Sequence, residues 1–281
     1  MIAYSITPRS KGYPDDKWDF GFLKEAFDKK NVEVIKVKHI PETDRAFVIA
    51  PGFEWHGLEE TLSYELNKIK RVVLFITADE LGVFNFEKIT HPNIEIWVQY
   101  PYAWHEQYNK MPLGVPEHLK RNLPEYPTKT YDSYFSGQVT HPRREQLAKA
   151  IVRVPNSVHN FTAGFTQGET PQEYYRLMSN AKIAPAPAGS ATIDSFRFYE
   201  AIEMLCIPIA DRVSSRGEAY GFWEILFKSM PVKQVSDWSE IKKLIPSLLN
   251  NYPHNMHKIV SWWIKQKRDF ANKIMEQIDE H

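Results

Sequence analysis

The stretch APAPAGSATIDSFRFYEAIEMLCIPIADR, Ala184–Arg212, decides how this chain is read. An apolar tip leads into a Gly189–Ser190 turn, a helical pattern follows, and a second apolar run, Ile207–Ala210, closes the stretch. Phe198, Ile202 and Leu205 recur at i, i+4 and i+7, so they should share the core-facing side of a helix over Ser195–Leu205. Asp194 or Ser195 can cap that helix. Strand, turn, helix and strand in this order form a βαβ unit. Its helix N-terminus points unpaired backbone N–H groups at the turn and favours an anion there. Arg197 and Glu200 fall on a different side, three residues apart. There a guanidinium could pair with a diphosphate and a carboxylate could accept from ribose hydroxyls. The same spacing describes a surface ion pair equally well, and the sequence leaves the two readings level.

Working outward, the same logic recurs in YFSGQVTHPRREQL, Tyr134–Leu147. A strand ends at Ser136, Gly137 permits a tight turn, and Pro142 suits the first turn of a helix bearing Arg143 and Arg144. Two cations in a first helical turn run against the helix dipole, which favours an anion-binding role over a merely solvated basic turn. Short apolar, β-branched runs alternate with helical patterns along the rest of the chain. Strands are expected at 2–6, 32–37, 46–50, 72–76, 94–98, 133–136, 158–162, 182–185, 207–210 and 232–235. Helices are expected at 18–27, 58–69, 143–152, 171–178 (capped by Thr170) and from 238 onward. That alternation is the pattern of doubly wound parallel sheets. Five prolines between Pro101 and Thr130 interrupt it, placing a boundary near Leu123–Lys129. The expected domains are therefore 1–125 and 126–255, with 256–281 a C-terminal helix crossing back. Ligands of such folds bind outside the carboxyl ends of the strands.

A chain of 281 residues fits two domains. Lys+Arg and Asp+Glu balance at 35 each, which argues against a purely electrostatic nucleic-acid binder, although HLKRNL and HPRR could line one basic face. Cys206 is the only cysteine, so a reducing, cytoplasmic setting is expected. No apolar run is long enough to span a bilayer, and the first residues do not read as a signal peptide.

Three further segments carry candidate chemistry. VVLFITADELGVF, Val72–Phe84, ends a buried strand in Asp79 and Glu80, where a general base would be useful, although a helix cap with a solvated neighbour reads equally well. APGFEWHG sets Glu54 and His56 after a strand, level between loop structure and site. IWVQYPYAWHEQY offers Gln99, Tyr102, Trp104 and His105, which suit a sugar or a base but also an ordinary aromatic-rich surface. No metal site is expected, since His, Cys and Asp do not cluster at zinc spacing. No GxxxxGK[ST], GxGxxG or GxSxG motif occurs, which disfavours P-loop enzymes, dinucleotide oxidoreductases and serine hydrolases.

SFRFYEAIEMLCIPIA, Ser195–Ala210, resembles the C-terminal signature of exostosin-like glycosyltransferases. Tyr134–Leu147 is similar to the turn and Arg-bearing helix that open the same domain. FITADELGVFNFEKITHPNIEIWVQYP, Phe75–Pro101, resembles the N-terminal domain of compact bacterial and phage members. The resemblance is dense over residues 74–211. It implies a GT-B fold, two Rossmann-like doubly wound domains with a C-terminal helix packing back across the boundary. It also implies a nucleoside-diphosphate-sugar donor, a UDP-sugar being expected, and inverting transfer that requires no cofactor or metal. Arg197 would contact the diphosphate and Glu200 the ribose. Ser195 would mark the phosphate-binding helix start, with Gly189 and Ser190 before it and Gly137, Arg143 and Arg144 at the neighbouring turn. Asp79, then Glu80, are the expected bases, with His56 or His105 behind them, and Glu54, His56, Gln99, Tyr102 and His105 are expected on the acceptor side. The hydroxyl acceptor is open among glycans, proteins, metabolites and hydroxymethylated DNA. A monomer or homodimer in a bacterial or phage-infected cytoplasm is expected. A non-catalytic nucleotide or sugar sensor on the same scaffold is the competing class.

Overall fold

In the computed structural model, residues 1–8, 20–117, 119, 128–164 and 167–279 are described. The chain divides into two compact units, Met1–Leu113 with Gln266–His281, and Gly114–Lys265. Residues 120–127, most of HLKRNL and of the expected boundary, lie outside the described residues, as do Trp18 and Asp19 at the start of the first expected helix.

The first unit carries a parallel sheet of β1 (Ile2–Ile6), β2 (Glu33–Val37), β3 (Thr43–Pro51), β4 (Ile69–Thr77), β5 (Ile94–Val98) and β6 (Asn109–Lys110), in the order β2-β1-β3-β4-β5-β6. Helices α1 (Gly21–Lys29), α2 (Gly52–Trp55) and α3 (Glu59–Leu66) connect them. Side chains alternate along a strand, so β3 and β4 divide their runs between two cores. Val48, Leu74 and Ile76 join Leu62 and Leu66 of α3 on one face. Phe47, Phe75 and Trp97 point to the other, where Phe27 of α1 packs 5.2 Å from Phe47. β6 lacks an apolar run, so no periodicity announces it; it is set by its pairing with β5.

The second sheet contains β7 (Tyr131–Gln138), β8 (Ser157–Thr162), β9 (Ala181–Ala186), β10 (Ile207–Asp211) and β11 (Lys233–Val235), in the order β11-β10-β9-β7-β8. Its helices are α4 (Pro142–Ile151), α5 (Pro171–Ser179), α6 (Phe196–Glu203), α7 (Phe222–Leu226) and α8 (Ile241–Asn250). Thr170 caps α5 as its sequence suggests, accepting from Glu173 N. One expectation fails at the opening stretch. Helix α6 stops at Glu203, and Leu205, expected on its core face, instead adopts φ 57° and is half-buried. Cys206 N donates to Ala201 O and Leu205 N to Ile202 O, a Schellman closure that needs a left-handed residue at this position. Cys206 is a buried free thiol, and burial pushes its pKa up to about 11.

The last helix, α9 (Tyr252–Asp279), starts in the second unit and ends in the first. In the first unit Phe270 sits 4.9 Å from Trp97, whose Nε1 donates to Gln277 Oε1, and the Arg71 guanidinium donates twice to Gln277 O. Two doubly wound parallel α/β units, joined at the end by a helix that returns to the first, match the GT-B-like layout expected.

Candidate functional site

In each sheet the strand order reverses once, and at that reversal the connections leave in opposite directions, opening a crevice at the carboxyl ends. In the second unit the reversal lies between β7 and β9. Four predicted segments meet there: Gly137 at the end of β7, the start of α4, the Ala188–Ser195 loop after β9, and the start of α6.

Arg197 lies across the end of β7. Its Nη2 donates to Ser136 O at 2.5 Å, its Cζ stands 4.8 Å from the Phe135 ring centre, and its buried Nε has no partner. A Cβ on residue 137 would come within 2.6 Å of Arg197 Nη2, so glycine there makes room for the guanidinium. Arg144 Nε and Nη1 reach Ala188 O and Gln138 O only at 3.3 Å each. Burial, then the Arg197 charge, pull Arg144 down to about 9, which leaves it charged at neutral pH. Among the described residues neither arginine forms an ion pair. His141, the residue before α4, has both ring nitrogens buried without a hydrogen bond, and burial lowers its pKa.

Glu200 is not the surface partner of Arg197. It is buried and accepts from Tyr174 Oη at 2.8 Å and Tyr175 Oη at 3.1 Å. Burial raises its pKa, opposed by the Arg197 charge and the two hydroxyls. Ser195 precedes α6 but its side chain caps nothing; Asp194 ties the turn instead, accepting from Ser195 N and Tyr199 Oη. A Cβ at Gly189 would lie 2.5 Å from Asp194 O, so the loop folds tightly on itself, and Ser190 O accepts from Ser215 Oγ.

Arg143 points elsewhere. Its Nη2 lies 2.6 Å from Asp211 Oδ1, with Nε sharing both Asp211 oxygens, and both side chains are buried. Asp211 also accepts from Trp238 Nε1, Ala188 N and Val213 N. The sequence reading missed Asp211, whose only signal is an acid closing the buried run IPIAD. It also missed Tyr174 and Tyr175, which no local pattern links to Glu200.

In the first unit the order reverses between β1 and β3. There Thr7 Oγ1 donates to Glu54 Oε2, with Glu54 buried on α2. Asp79, after β4, accepts from Val83 N at 3.0 Å and Phe84 N at 3.2 Å. Burial raises its pKa, opposed first by those two amide bonds and then by the nearby His56, with Glu59 adding to the rise. A Cβ on Gly52 would lie 2.8 Å from Asp79 Cβ, so the Glu54 and Asp79 loops touch. His56 is exposed, 3.8 Å from Glu59 Oε1, and Glu80 O accepts from Tyr102 Oη at 2.6 Å. Gln99 Oε1 accepts from Ala78 N, tying down a residue held at φ 51°.

His105 is buried, and its Nδ1 accepts from Tyr102 N at 3.3 Å. Burial, helped by the Lys110 charge, pulls it down to about 4. Its folded pKa lies below the unfolded value near 6.5, so the folded form binds fewer protons between them and stability rises with pH in that window. We expect Tm to fall as pH drops from about 6.5 toward 4. A His105→Asn variant should flatten that fall; an equally steep profile would show that other groups cause it.

Among the described residues no group of three or more His, Cys, Asp or Glu side chains could hold a metal, and no helix is long and apolar enough to cross a membrane.

No family model matches the chain, and no curated protein matches it. The crystal structure of Anabaena Alr3699/HepE in complex with UDP is similar over 98% of this chain and 99% of its own, at 9% identity and a TM-score of 0.40. That distance is too great to carry a site or a substrate across.

Proposed function

We propose that this protein is a glycosyltransferase of the exostosin-like, GT-B kind, moving a sugar from a nucleoside diphosphate, UDP foremost, to a hydroxyl acceptor. The observation that carries the reading is the pair Arg144 and Arg197. Both are half-buried at the switch point of the second sheet, and among the described residues neither forms an ion pair, the Arg197 charge only acting at a distance on Glu200. Two such cations beside the N-terminus of α6 suit a diphosphate. Arg143, engaged with Asp211, positions α4 rather than binding the donor. Glu200 keeps free lone pairs beyond the two tyrosine bonds and is assigned to the ribose. As the glycosidic bond breaks, Arg144 and Arg197 neutralise the leaving diphosphate, so the charge is met by guanidinium groups rather than a metal.

In the inverting reaction the acceptor oxygen bonds to the anomeric carbon from the face opposite the diphosphate while a base takes its proton. We assign that base to Asp79, supported by its burial-raised pKa, with Glu80 second and Glu54 and His56 on the acceptor side. Asp79→Asn is expected to abolish transfer while nucleotide binding by calorimetry stays near normal. Unchanged turnover would leave Asp79 only the tie between Val83 and Phe84.

The tying of both Asp79 oxygens to backbone amides favours a second reading, a nucleotide or sugar sensor that needs no base. Donor hydrolysis, with water as acceptor, separates the two. The class itself is tested by thermal shift against UDP, ADP, GDP, TDP, uridine and UDP-sugars. Stabilisation by diphosphates but not by uridine is expected; no shift with any nucleotide would end the donor reading.

A further inference from the structure

Trp104 is 62% exposed, the second most exposed large apolar side chain among the described residues after Tyr64. It is not a loose surface residue. Its indole stacks on Tyr102 with centroids 4.4 Å apart and planes 7° from parallel. Tyr102 is itself buried and fixed at both ends, Oη donating to Glu80 O and N to His105 Nδ1. Gly82 packs against the pair: a Cβ there would lie 2.9 Å from Tyr102 Cε2 and 3.2 Å from Trp104 Cζ2. Gly82 N in turn donates to Asp79 O, so the aromatic stack and the Asp79 turn form one rigid piece.

We propose that Trp104 is the floor of the acceptor subsite and that the acceptor it takes is a neutral sugar ring rather than a nucleic acid. Calling it the acceptor rests on the transferase reading above; the recognition of a saccharide does not. An aromatic face held open to solvent offers contact to the C–H face of a pyranose, while polar groups at its edge take the hydroxyls. The surroundings choose between ligands. Within a few residues of the stack and its Asp79 turn lie three acids, Asp79, Glu80 and Glu106, against one cation, Lys110, whose Nζ donates to Glu106 O. Carboxylates accept from sugar hydroxyls but repel a phosphate backbone, whose binding depends on lysine and arginine contacts. Two further exposed apolar residues, Phe53 on α2 and Leu81, adjoin Gly52 and Gly82, the glycines that pack against Asp79 and the aromatic pair, and could extend the platform for a second sugar.

Saturation-transfer NMR on the full chain tests this with maltose, cellobiose, lactose and methyl glycosides at millimolar concentration, beside a DNA duplex and UDP as separate arms. Saturation should reach ring C–H protons of at least one saccharide on the wild-type protein. Trp104→Ala should weaken that binding about tenfold, the equivalent of one lost aromatic contact. Trp104→Phe should retain most of it, and UDP affinity should be the same in all three proteins. The proposal is overturned by wild-type protein that binds none of the saccharides, by saccharide binding indifferent to Trp104→Ala, or by duplex DNA binding that Trp104→Ala removes. UDP failing to bind the wild type while a saccharide does would instead overturn the donor reading and leave the Trp104 subsite standing.

Discussion

Arg197→Ala is expected to weaken UDP binding about hundredfold, the loss of a charged contact that is withdrawn from water. Three features make the effect large. The guanidinium is held by Ser136 O and the Phe135 face, so its rotamer is fixed before any ligand arrives. Its Nε donor is buried and unpartnered, a cost that a phosphate oxygen would relieve. Arg144 repels it, and a diphosphate between the two would turn repulsion into attraction. Removing Arg197 lifts that repulsion but also loses the bond to Ser136 O, the Phe135 contact and the attraction to Glu200. The unliganded variant should therefore be slightly less stable, while its nucleotide affinity falls far more. Calorimetry with UDP reads the affinity and a thermal scan of the unliganded protein reads the stability. Intact binding would remove Arg197 from the donor site.

Asp211→Ala should be the most damaging single substitution to the fold of the second unit. It would strand the buried Arg143 guanidinium and orphan Trp238 Nε1, Ala188 N and Val213 N together. Breaking a buried pair by removing one partner costs about 3–5 kcal/mol. For a unit of this size that lowers Tm by roughly 10 °C. Because Ala188 opens the loop that runs to Ser195, nucleotide affinity should fall as well. Replacing both partners, Arg143→Met with Asp211→Ala, should recover much of the lost stability, since no charge is then left buried alone. A single variant that melts like the wild type would show that the pair contributes nothing net.

The strands were legible because buried parallel strands are short apolar runs, and Ile2–Ile6 and Ile94–Val98 form over the same residues the pattern marks. The cap at Thr170 was legible because capping is local chemistry. Helix α6 ends two residues before the expected Leu205 because apolar period alone does not reveal that the chain turns left-handed there. Two of the opening stretch's side chains show the limit better. Arg197 and Glu200 were level between site and surface pair until Tyr174, Tyr175 and Ser136 came beside them from other elements.

By itself the sequence determined the alternation of strand and helix, the turn glycines at 137 and 189, and the concentration of arginines at two helix starts. Those follow from propensity, periodicity and steric room, which act over a few residues. Only the tertiary structure decided what each arginine does. Arg143 and Arg144 are neighbours in one helical turn, yet about 100° apart around its axis. One therefore meets Asp211, 68 residues along the chain, and is neutralised. The other turns to the carboxyl end of β7, where it reaches only the carbonyl oxygens of Gln138 and Ala188.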